Sequence, residues 1–451
     1  MKTPLILPNE VLEFMSSFEK NGFEVYVVGG GVRDLILGKE ITNWDFTTNA
    51  SVEAIQKLFP EHFYENNYGT VTVVLDKEKG FLFEVTPFRK ESGYTDSRHP
   101  DEIEWATKVE EDLARRDFTV NAIAFDGKSL VDPYAGEQDI EKKIIKAVGN
   151  ADVRFSEDAL RLMRAVRIAT QLGFSIDTET LESIKKNAEL ITHISGERIR
   201  DELFKIIGST RAADGITLLH ETTLLKYILP EVEDCFGVDQ VSPGRHHTVD
   251  VGTHLIEALR LCPSTDTITR FATLLHDIGK AKTYAKDEHT QMITFYNHEI
   301  VGASQVYEIA QRLHLSKKER EKLVTLVRYH MFTVSETQTD SAIRRFIRNV
   351  GKEYMYDALD LRVADRLGSG AKLTSWRTEL FKKRLEEVQH EPFAVKDLII
   401  NGKDVMEQLS LKPSPQVGQI LDALFAEVFA GTLKNEREVL LQRLTATKTD
   451  I

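Results

Sequence analysis

A chain of 451 residues with 41% hydrophobic and 29% charged content is globular, long enough for roughly three or four domains, and neither collagenous nor disordered. It holds no apolar run of the ~20 residues that a helical membrane span needs and no charged-then-apolar leader at Met1, so the expectation is a cytoplasmic protein without membrane contact. Two cysteines, Cys235 and Cys262, exclude a disulfide framework and a cysteine zinc site, and a net charge of −13 excludes a generally basic nucleic-acid binder while leaving room for a local basic groove.

In chain order, the apolar run 25–28 predicts a buried strand, and Gly29, Gly30 and Gly31 predict a turn bare enough for the backbone to approach a phosphate. Residues 32–37 recover helical spacing, which places the glycines at a helix N-terminus whose free N–H groups favour an anion. Residues 41–48 alternate as a strand, with Asn43 and Asp45 on one face and Trp44 on the other. Strands follow at 70–75 and 81–86, then a polar loop, "RKESGYTDSRHPDEIEW", so the first ~140 residues read as one α/β domain with a short-stranded sheet. From Asp152 the pattern turns helical, over 156–173, 177–190, 196–208 and 211–227, with starts at Ser156, Asp177 and Ser195 or Gly196. "LPEVEDCFGVDQVSPGRHH" carries Pro and Gly without periodicity and predicts a linker; beyond it the chain stays helical, with breaks at 262–266, at 283–292 and in "NGKDVMEQLSLKPSPQVG".

A glycine turn facing an acidic strand end suits metal-assisted phosphoryl transfer, in which magnesium joins carboxylates to triphosphate oxygens, although such a segment alone is as often a plain turn. Asn43 fits this chemistry poorly, because a neutral amide contributes no charge. Glu84 shares a strand face with Leu82 and Thr86 rather than with Phe83; it is an exposed strand acid unless its strand neighbours Asp45, where it would supply the carboxylate that Asn43 lacks. In "EEDLARRDFTVNAIAF", Arg115 and Arg116 suit a triphosphate and Asp117 a ribose hydroxyl, the alternative being surface salt bridges. "FSEDALRLMRAVR" places Glu157, Asp158 and Arg161 on one helical turn, where Asp158 and Arg161 offer acceptors and a planar donor fork for a base edge, or else an ordinary ion pair. The arginine clusters at 115–116, 161–167, 198–200 and 344–345 are either solvated faces paired with acids or parts of a groove. The helical half carries His246, His247, His254, His276 and Asp277 in "LLHDIGK", His298, His330 and Asp365. A charged Asp277 beside Leu274, Leu275 and Ile278 on an apolar helix needs a partner or a metal, and His with Asp from separate helices is a mixed ligand set for one or two divalent ions suited to phosphoester hydrolysis.

"GGGVRD" with its acidic strand, "RRDFTVNA", "EDALRLMRA", "ISGERIRDEL" and "LLHDIGK" occur in an order and spacing that resembles the bacterial class II tRNA nucleotidyltransferases, the CCA-adding enzyme and poly(A) polymerase family, with an appended HD phosphohydrolase domain. The resemblance implies an α+β fold: a polymerase-β-like nucleotidyltransferase head over 1–145, an all-α neck over 146–228, a linker over 229–245, an HD domain over 246–370 and a helical tRNA-binding tail over 371–451. It implies catalytic Mg2+ at Asp45 and position 43, while Glu84 joins the catalytic set only on the strand-face reading above. Nucleotide binding would fall to Gly29, Gly30, Gly31, Arg33, Asp34, Arg115, Arg116, Asp117 and Asn121. Asp158 and Arg161 would form a protein template, with Glu157, Arg164 and Arg167 beside them and with Arg198 and Arg200 supporting it and the RNA. The loop over 90–105 resembles the flexible loop used for the final A. His254, His276, Asp277 and Asp365, with His298 and His330 as additional ligands, would hold Mg2+ or a divalent transition metal. The implied substrates are CTP, ATP and tRNA, with no obligate protein partner. The implied activity is CCA addition, with phosphoester hydrolysis for 3′-end repair; alternatives are an A-adding, CC-adding or poly(A)-making enzyme. A different class, a hydrolase whose head binds RNA without catalysis, draws on Asn43, which stands where the family has Asp.

Overall fold

The glycine turn lies near the centre of a mixed sheet. In the computed structural model, which describes residues 5–41, 43–64, 69–76, 81–93, 102–240, 249–332, 338–370, 376–388 and 395–447, α1 (Asn9–Glu19) leads into β1 (Val25–Val28), α2 (Gly30–Ile36), β2 (Trp44–Thr48), α3 (Val52–Leu58), β3 (His62–Tyr64), β4 (Val71–Asp76) and β5 (Phe81–Pro87). Then come β6 (Arg89–Ser92), β7 (Glu102–Trp105), α4 (Val109–Ala114), β8 (Ala124–Phe125) and β9 (Leu130–Val131). Among the described residues the sheet runs β3-β4-β5-β2-β1-β8-β9, with β2 parallel to β5 and antiparallel to β1. Phe14 and Phe18 of α1 pack with Phe46, Phe59 and Phe83 at ring separations of 4.7–5.4 Å, and each fully buried ring contributes roughly 1.5–3 kcal/mol. A second cluster, Val28, Phe88, Val109, Leu113 and Ala124, holds α4 against the sheet, so its C-terminal arginines arrive beside the turn.

Sequence expectations need correction in several places: the residues expected as one helix over 211–227 form two, Ala212–Glu221 and Leu224–Ile228, and the expected linker opens with a helix, Pro230–Glu233. The strand expected over 41–48 is shorter, starting at Trp44 and leaving Asn43 exposed before it. The polar segment 89–105 is not all loop: β6 and β7 form an antiparallel ribbon with Arg89 opposite Trp105, whose mostly polar sequence lacks the apolar alternation that marks a half-buried strand. Residues 94–101, the rest of that loop, lie outside the described residues. The helix expected over 156–173 is two helices, discussed below.

The chain continues through α5 (Gly136–Lys142), β10 (Ile144–Ile145), α6 (Ala151–Glu157), α7 (Leu160–Leu172), β11 (Ser175–Ile176), α8 (Thr178–Asn187), α9 (Gly196–Ile207), α10 (Ala212–Glu221), α11 (Leu224–Ile228) and α12 (Pro230–Glu233). Ser156 is inside α6 rather than at a helix start. Asp158 is extended (φ −141°, ψ 104°) and its carboxylate accepts from the Leu160 N–H at 3.0 Å, a local side-chain bond that competes with helix continuation. Glu157, Asp158 and Arg161 therefore do not share one helical turn. Asp177 caps α8 as expected, accepting from the Thr180 N–H. Helix α7 buries Leu162, Ala165, Val166 and Ala169 and packs on α9.

Two compact units divide the chain, Met1–Glu233 with Arg312–His314, and Asp234–Gln311 with Leu315–Ile451. The second contains α13 (Val251–Arg260), α14 (Thr267–Leu275), α15 (Lys280–Thr283), the small ribbon β12 (Ala285–Lys286) and β13 (Ile293–Thr294), α16 (His298–Arg312), α17 (Lys317–Arg328), α18 (Asp340–Val350), α19 (Met355–Gly368), α20 (Trp376–Val388), α21 (Gly402–Leu409), α22 (Pro415–Phe429) and α23 (Arg437–Thr447). Asp250 and Asp266 cap α13 and α14, and Ser316 with Glu319 forms a capping box on α17. The last three helices share a core of Val405, Val417, Leu424, Leu440 and Leu444. Among the described residues no helix is long and apolar enough to cross a membrane.

Candidate active sites

The head site begins at Gly29, whose φ of +70° lets the chain leave β1 and enter α2 at once. A Cβ there would lie 2.9 Å from Arg116 Nη1 and 3.7 Å from Asp45 Oδ2, so the bare backbone is what admits both side chains. Asp45 stands opposite Glu84 in the parallel β2–β5 register, which joins the two carboxylates that sequence could only suggest as neighbours. Burial and then the negative Glu84 raise the pKa of Asp45, while Arg116 opposes them.

A cavity of about 340 Å³ opens beside this strand end, lined by Gly29, Gly30, Asp45, Arg115, Arg116, Asp117, Asn121, Asp158, Leu160, Arg161, Arg164 and Arg198. Asp112, fully buried and not anticipated from sequence, underlies its arginines: Arg115 Nε reaches it at 2.9 Å and Arg116 Nη2 at 3.3 Å. Burial works against this carboxylate's charge, yet the two guanidiniums hold its pKa below the usual range. Its one sequence signal is the i, i+3 and i, i+4 spacing to both arginines. Asp117 takes Arg164 Nε at 2.8 Å and the Phe118 N–H at 2.9 Å; against its burial, Arg164 lowers its pKa to about 2.

Asp158 and Arg161 meet at the cavity without pairing with each other. Arg198 of α9 donates to Asp158 Oδ2 at 2.9 Å and to Oδ1 at 3.4 Å. Arg161 donates through Nη1 to Glu157 (2.6 Å) and the Arg154 carbonyl (3.1 Å), and through Nη2 to the Arg115 carbonyl (3.2 Å). The remaining expected residues lie outside the cavity lining. Arg33 binds Asp34 and, at 2.7 Å, Asn121 Oδ1, bracing α2. Arg167 pairs with the buried Glu202, which sequence reading missed, and Arg200 with Asp201.

In the second unit, six residues converge from five segments: His254 on α13, His276 and Asp277 after α14, His298 at the start of α16, His330 after α17 and Asp365 on α19. The expectation that His276 and Asp277 lie within an apolar helix is corrected, because α14 ends at Leu275 and Asp277 occupies the following turn. Gly279 makes that turn possible, since a Cβ there would fall 2.1 Å from the His298 carbonyl oxygen. His246 and His247 lie outside the described residues.

Two ligand groups result, His254–His276–Asp277–Asp365 and Asp277–His298–His330, each with its donor atoms within 4.8 Å of one another and with Asp277 common to both. The Nδ1 atoms of His276, His298 and His330 lie 2.8, 2.8 and 2.7 Å from the carbonyls of Thr273, Phe295 and Val327, which keeps a proton on Nδ1 and turns Nε2 inward as the atom that would ligate a metal. His298 and His330 then face each other Nε2 to Nε2 at 3.4 Å, an arrangement satisfied by a proton shared between the two rings or by a metal that both ligate. Asp277 and Asp365 are held well below the usual carboxylate range despite burial, Asp277 chiefly by Lys280 and His276, Asp365 by His254 and His276. Lys280, buried and 2.6 Å from Asp277 Oδ2, is a neighbour that the sequence did not flag. The set fits one or two divalent ions by ligand type, burial and tautomer.

Residues 25–146 match the Poly A polymerase head domain, 173–236 the Probable RNA and SrmB- binding site of polymerase A, and 285–444 the tRNA nucleotidyltransferase domain 2 putative. The chain is 34% identical over 415 residues to an A-adding tRNA nucleotidyltransferase of Deinococcus radiodurans, covering 88% of this chain and 90% of that one. It is 32% identical over 442 residues to a CCA-adding enzyme of Lactococcus lactis subsp. cremoris, covering 96% of each. Among solved structures, the Bacillus stearothermophilus CCA-adding enzyme in complex with CTP aligns over 100% of this chain and 99% of that one, with a TM-score of 0.73 and 29% identity. The chain therefore belongs to the class II CCA-adding enzyme family of tRNA nucleotidyltransferases.

Proposed function

We propose that this protein extends the 3′ end of tRNA with CMP and AMP from CTP and ATP, choosing each nucleotide with side chains. The observation that carries this reading is the donor and acceptor pattern left over in the head cavity. Arg161 has five N–H groups, and three are committed to Glu157, Arg154 and Arg115, leaving Nε–H and one Nη2–H. Asp158 accepts two bonds on Oδ1 and one on Oδ2, leaving an Oδ2 lone pair. Cytosine and adenine both present an amino donor next to a ring-nitrogen acceptor, which complements one acceptor and a donor fork; uracil and guanine present the reverse order and are rejected.

Arg115 and Arg116, both seated on Asp112, face the triphosphate, and Asp117 is committed to holding Arg164. Asp45 and Glu84, with the amide oxygen of Asn43, are the groups that would hold Mg2+, which when bound supplies charge neutralisation on the phosphates and a more acidic attacking hydroxyl. The experiment is incubation with tRNAs ending at each successive 3′ position, with CTP, ATP or both, followed by sequencing of the products. Ordered CCA completion supports the reading, addition of A alone indicates an A-adding enzyme, and no addition by the intact chain overturns it.

The six-residue cluster of the second unit favours a second activity, hydrolysis of a phosphoester such as a 2′,3′-cyclic or terminal phosphate on a damaged tRNA end. The inward Nε2 atoms and the shared Asp277 would hold Mg2+ or a transition metal such as manganese, nickel, cobalt or iron. Attack of water on phosphorus with cleavage of the P–O3′ bond would leave the 3′-hydroxyl that the head requires, with the phosphate retained on O2′ in the cyclic case and released in the terminal case. Soluble compartment and tRNA partnership follow from this role rather than from any surface feature.

A further inference from the structure

A partly buried ionic frame runs from the cavity-lining Arg161 through Glu157 to Arg154. Arg154 of α6 is not among the residues lining the cavity, and its side chain is 18% exposed. One guanidinium nitrogen, Nη1, donates to the Ala114 carbonyl at 3.3 Å, while Nη2 pairs with Glu157 Oε1. The other oxygen of Glu157 binds Arg161 Nη1 at 2.6 Å, and the carbonyl of Arg154 itself accepts from that same Nη1 at 3.1 Å. Arg161 in turn reaches the Arg115 carbonyl at 3.2 Å. The carbonyls of Ala114 and Arg115 end α4, where helix geometry leaves acceptors without helical partners, and α4 also carries the Asp112 that seats Arg115 and Arg116.

We infer that Arg154 is a positioning residue for nucleotide choice: it fixes the orientation of the Arg161 donor fork and ties it to the α4 end that carries the triphosphate-facing arginines. The physical reason is rotational. A guanidinium reads a base edge only if its plane is set; of the three bonds that set the Arg161 plane, the one to Glu157 depends on the Arg154 side chain, which holds the other Glu157 oxygen, and the one to the Arg115 carbonyl lies next to the Ala114 carbonyl that Arg154 Nη1 holds. Without Arg154, Glu157 loses its second cation and Ala114 its acceptor bond, so the fork turns and either polarity of base edge becomes acceptable. This inference rests on the nucleotidyltransferase reading above.

The test compares Arg154→Met, Arg154→Lys, Glu157→Gln and the Arg154→Met/Glu157→Gln pair with the intact chain. The readout is kcat/KM for CTP over UTP, and for ATP over GTP, on tRNAs ending one nucleotide short of each addition, with KM for tRNA and Tm alongside. Arg154→Met should lower both selectivity ratios at least tenfold while KM for tRNA stays within about twofold. Arg154→Lys, which keeps the charge without the fork, should fall between, and the double variant should be no less selective than the worse single one. Equal loss of rate for all four nucleotides with unchanged ratios would reduce Arg154 to a structural residue and overturn the inference. If Arg154→Met does not fold, the Arg154→Lys ratios decide in the same way. If the intact chain adds no nucleotide, the functional reading itself fails and this inference falls with it, an outcome read from the control before any variant is compared.

Discussion

Asn43 is the residue at which chemistry and sequence disagree most directly. An amide ligates through one neutral oxygen, so Asn43→Asp should strengthen Mg2+ binding and raise CMP addition severalfold, measured as initial rate against Mg2+ concentration. Because Glu84 stands opposite Asp45 in register, Glu84→Gln should lower addition at least tenfold and shift the Mg2+ requirement upward. A gain at position 43 with no loss at 84 would assign the second carboxylate role to residue 43 alone. Asp117 differs in kind, since its carboxylate serves a neighbour. Asp117→Asn should cost about 2–3 kcal/mol, below the ~3–5 of a fully enclosed pair because the Arg164 partner is 36% exposed, and Tm reports it. With its folded pKa lowered to about 2 from an unfolded value near ~3.9, Asp117 contributes stability fully above about pH 4 and loses it as the pH falls toward 2. In acid melts the intact chain and Asp117→Asn should therefore converge as the pH approaches 2.

At the level of elements, two discontinuities place the chemistry. The turn between β1 and α2 depends on Gly29: alanine at φ +70°, ψ −137°, outside the left-handed helical region, costs about 1–3 kcal/mol, and its methyl group would displace the Arg116 guanidinium. Gly29→Ala should raise KM for CTP and ATP severalfold while KM for tRNA changes little, with a few degrees of lost Tm. An unchanged KM would show that Arg116 does not meet the triphosphate from this side. The second discontinuity, between α6 and α7, frees Asp158 from the helical ladder so that Arg198 of α9 can fix it from the opposite side. Continuous helical periodicity through 156–173 concealed that break, because Ala159 and Leu160 remain apolar and buried on either reading.

For the molecule as a whole, each of the two compact units carries its own cluster of chemically suited residues. Asp277→Ala removes the carboxylate common to both ligand groups, and should abolish phosphoester hydrolysis and bound metal, read by elemental analysis, while CCA addition to intact tRNA persists. Asp45→Ala should do the reverse. Bound metal and hydrolysis unaltered by Asp277→Ala would leave His254, His276, Asp277 and Asp365 as a structural polar cluster.

Residue type, local spacing and motif order were enough to place the glycine turn beside Asp45, the change to helix after Asp152, the ligand types of the second unit and the family resemblance. The turn and the change to helix depend on neighbours within one or two turns of chain, where periodicity and backbone preference are strong, while the ligand types and the resemblance rest on residue identity and motif order along the chain. What only tertiary structure decided was pairing across long separations. Glu84 meets Asp45 because β5 joins β2 in parallel, a register that sequence alternation does not encode. Asp158 binds Arg198, forty residues away, because α7 packs on α9. Packing also decided burial: Asp112 pairs locally with Arg115 and Arg116, but it is enclosed because α4 lies against the sheet. Asp277 becomes common to two ligand groups because the turn at Gly279 lets α16 approach within backbone contact. A sequence states which atoms are offered, while packing and strand register determine which of them meet.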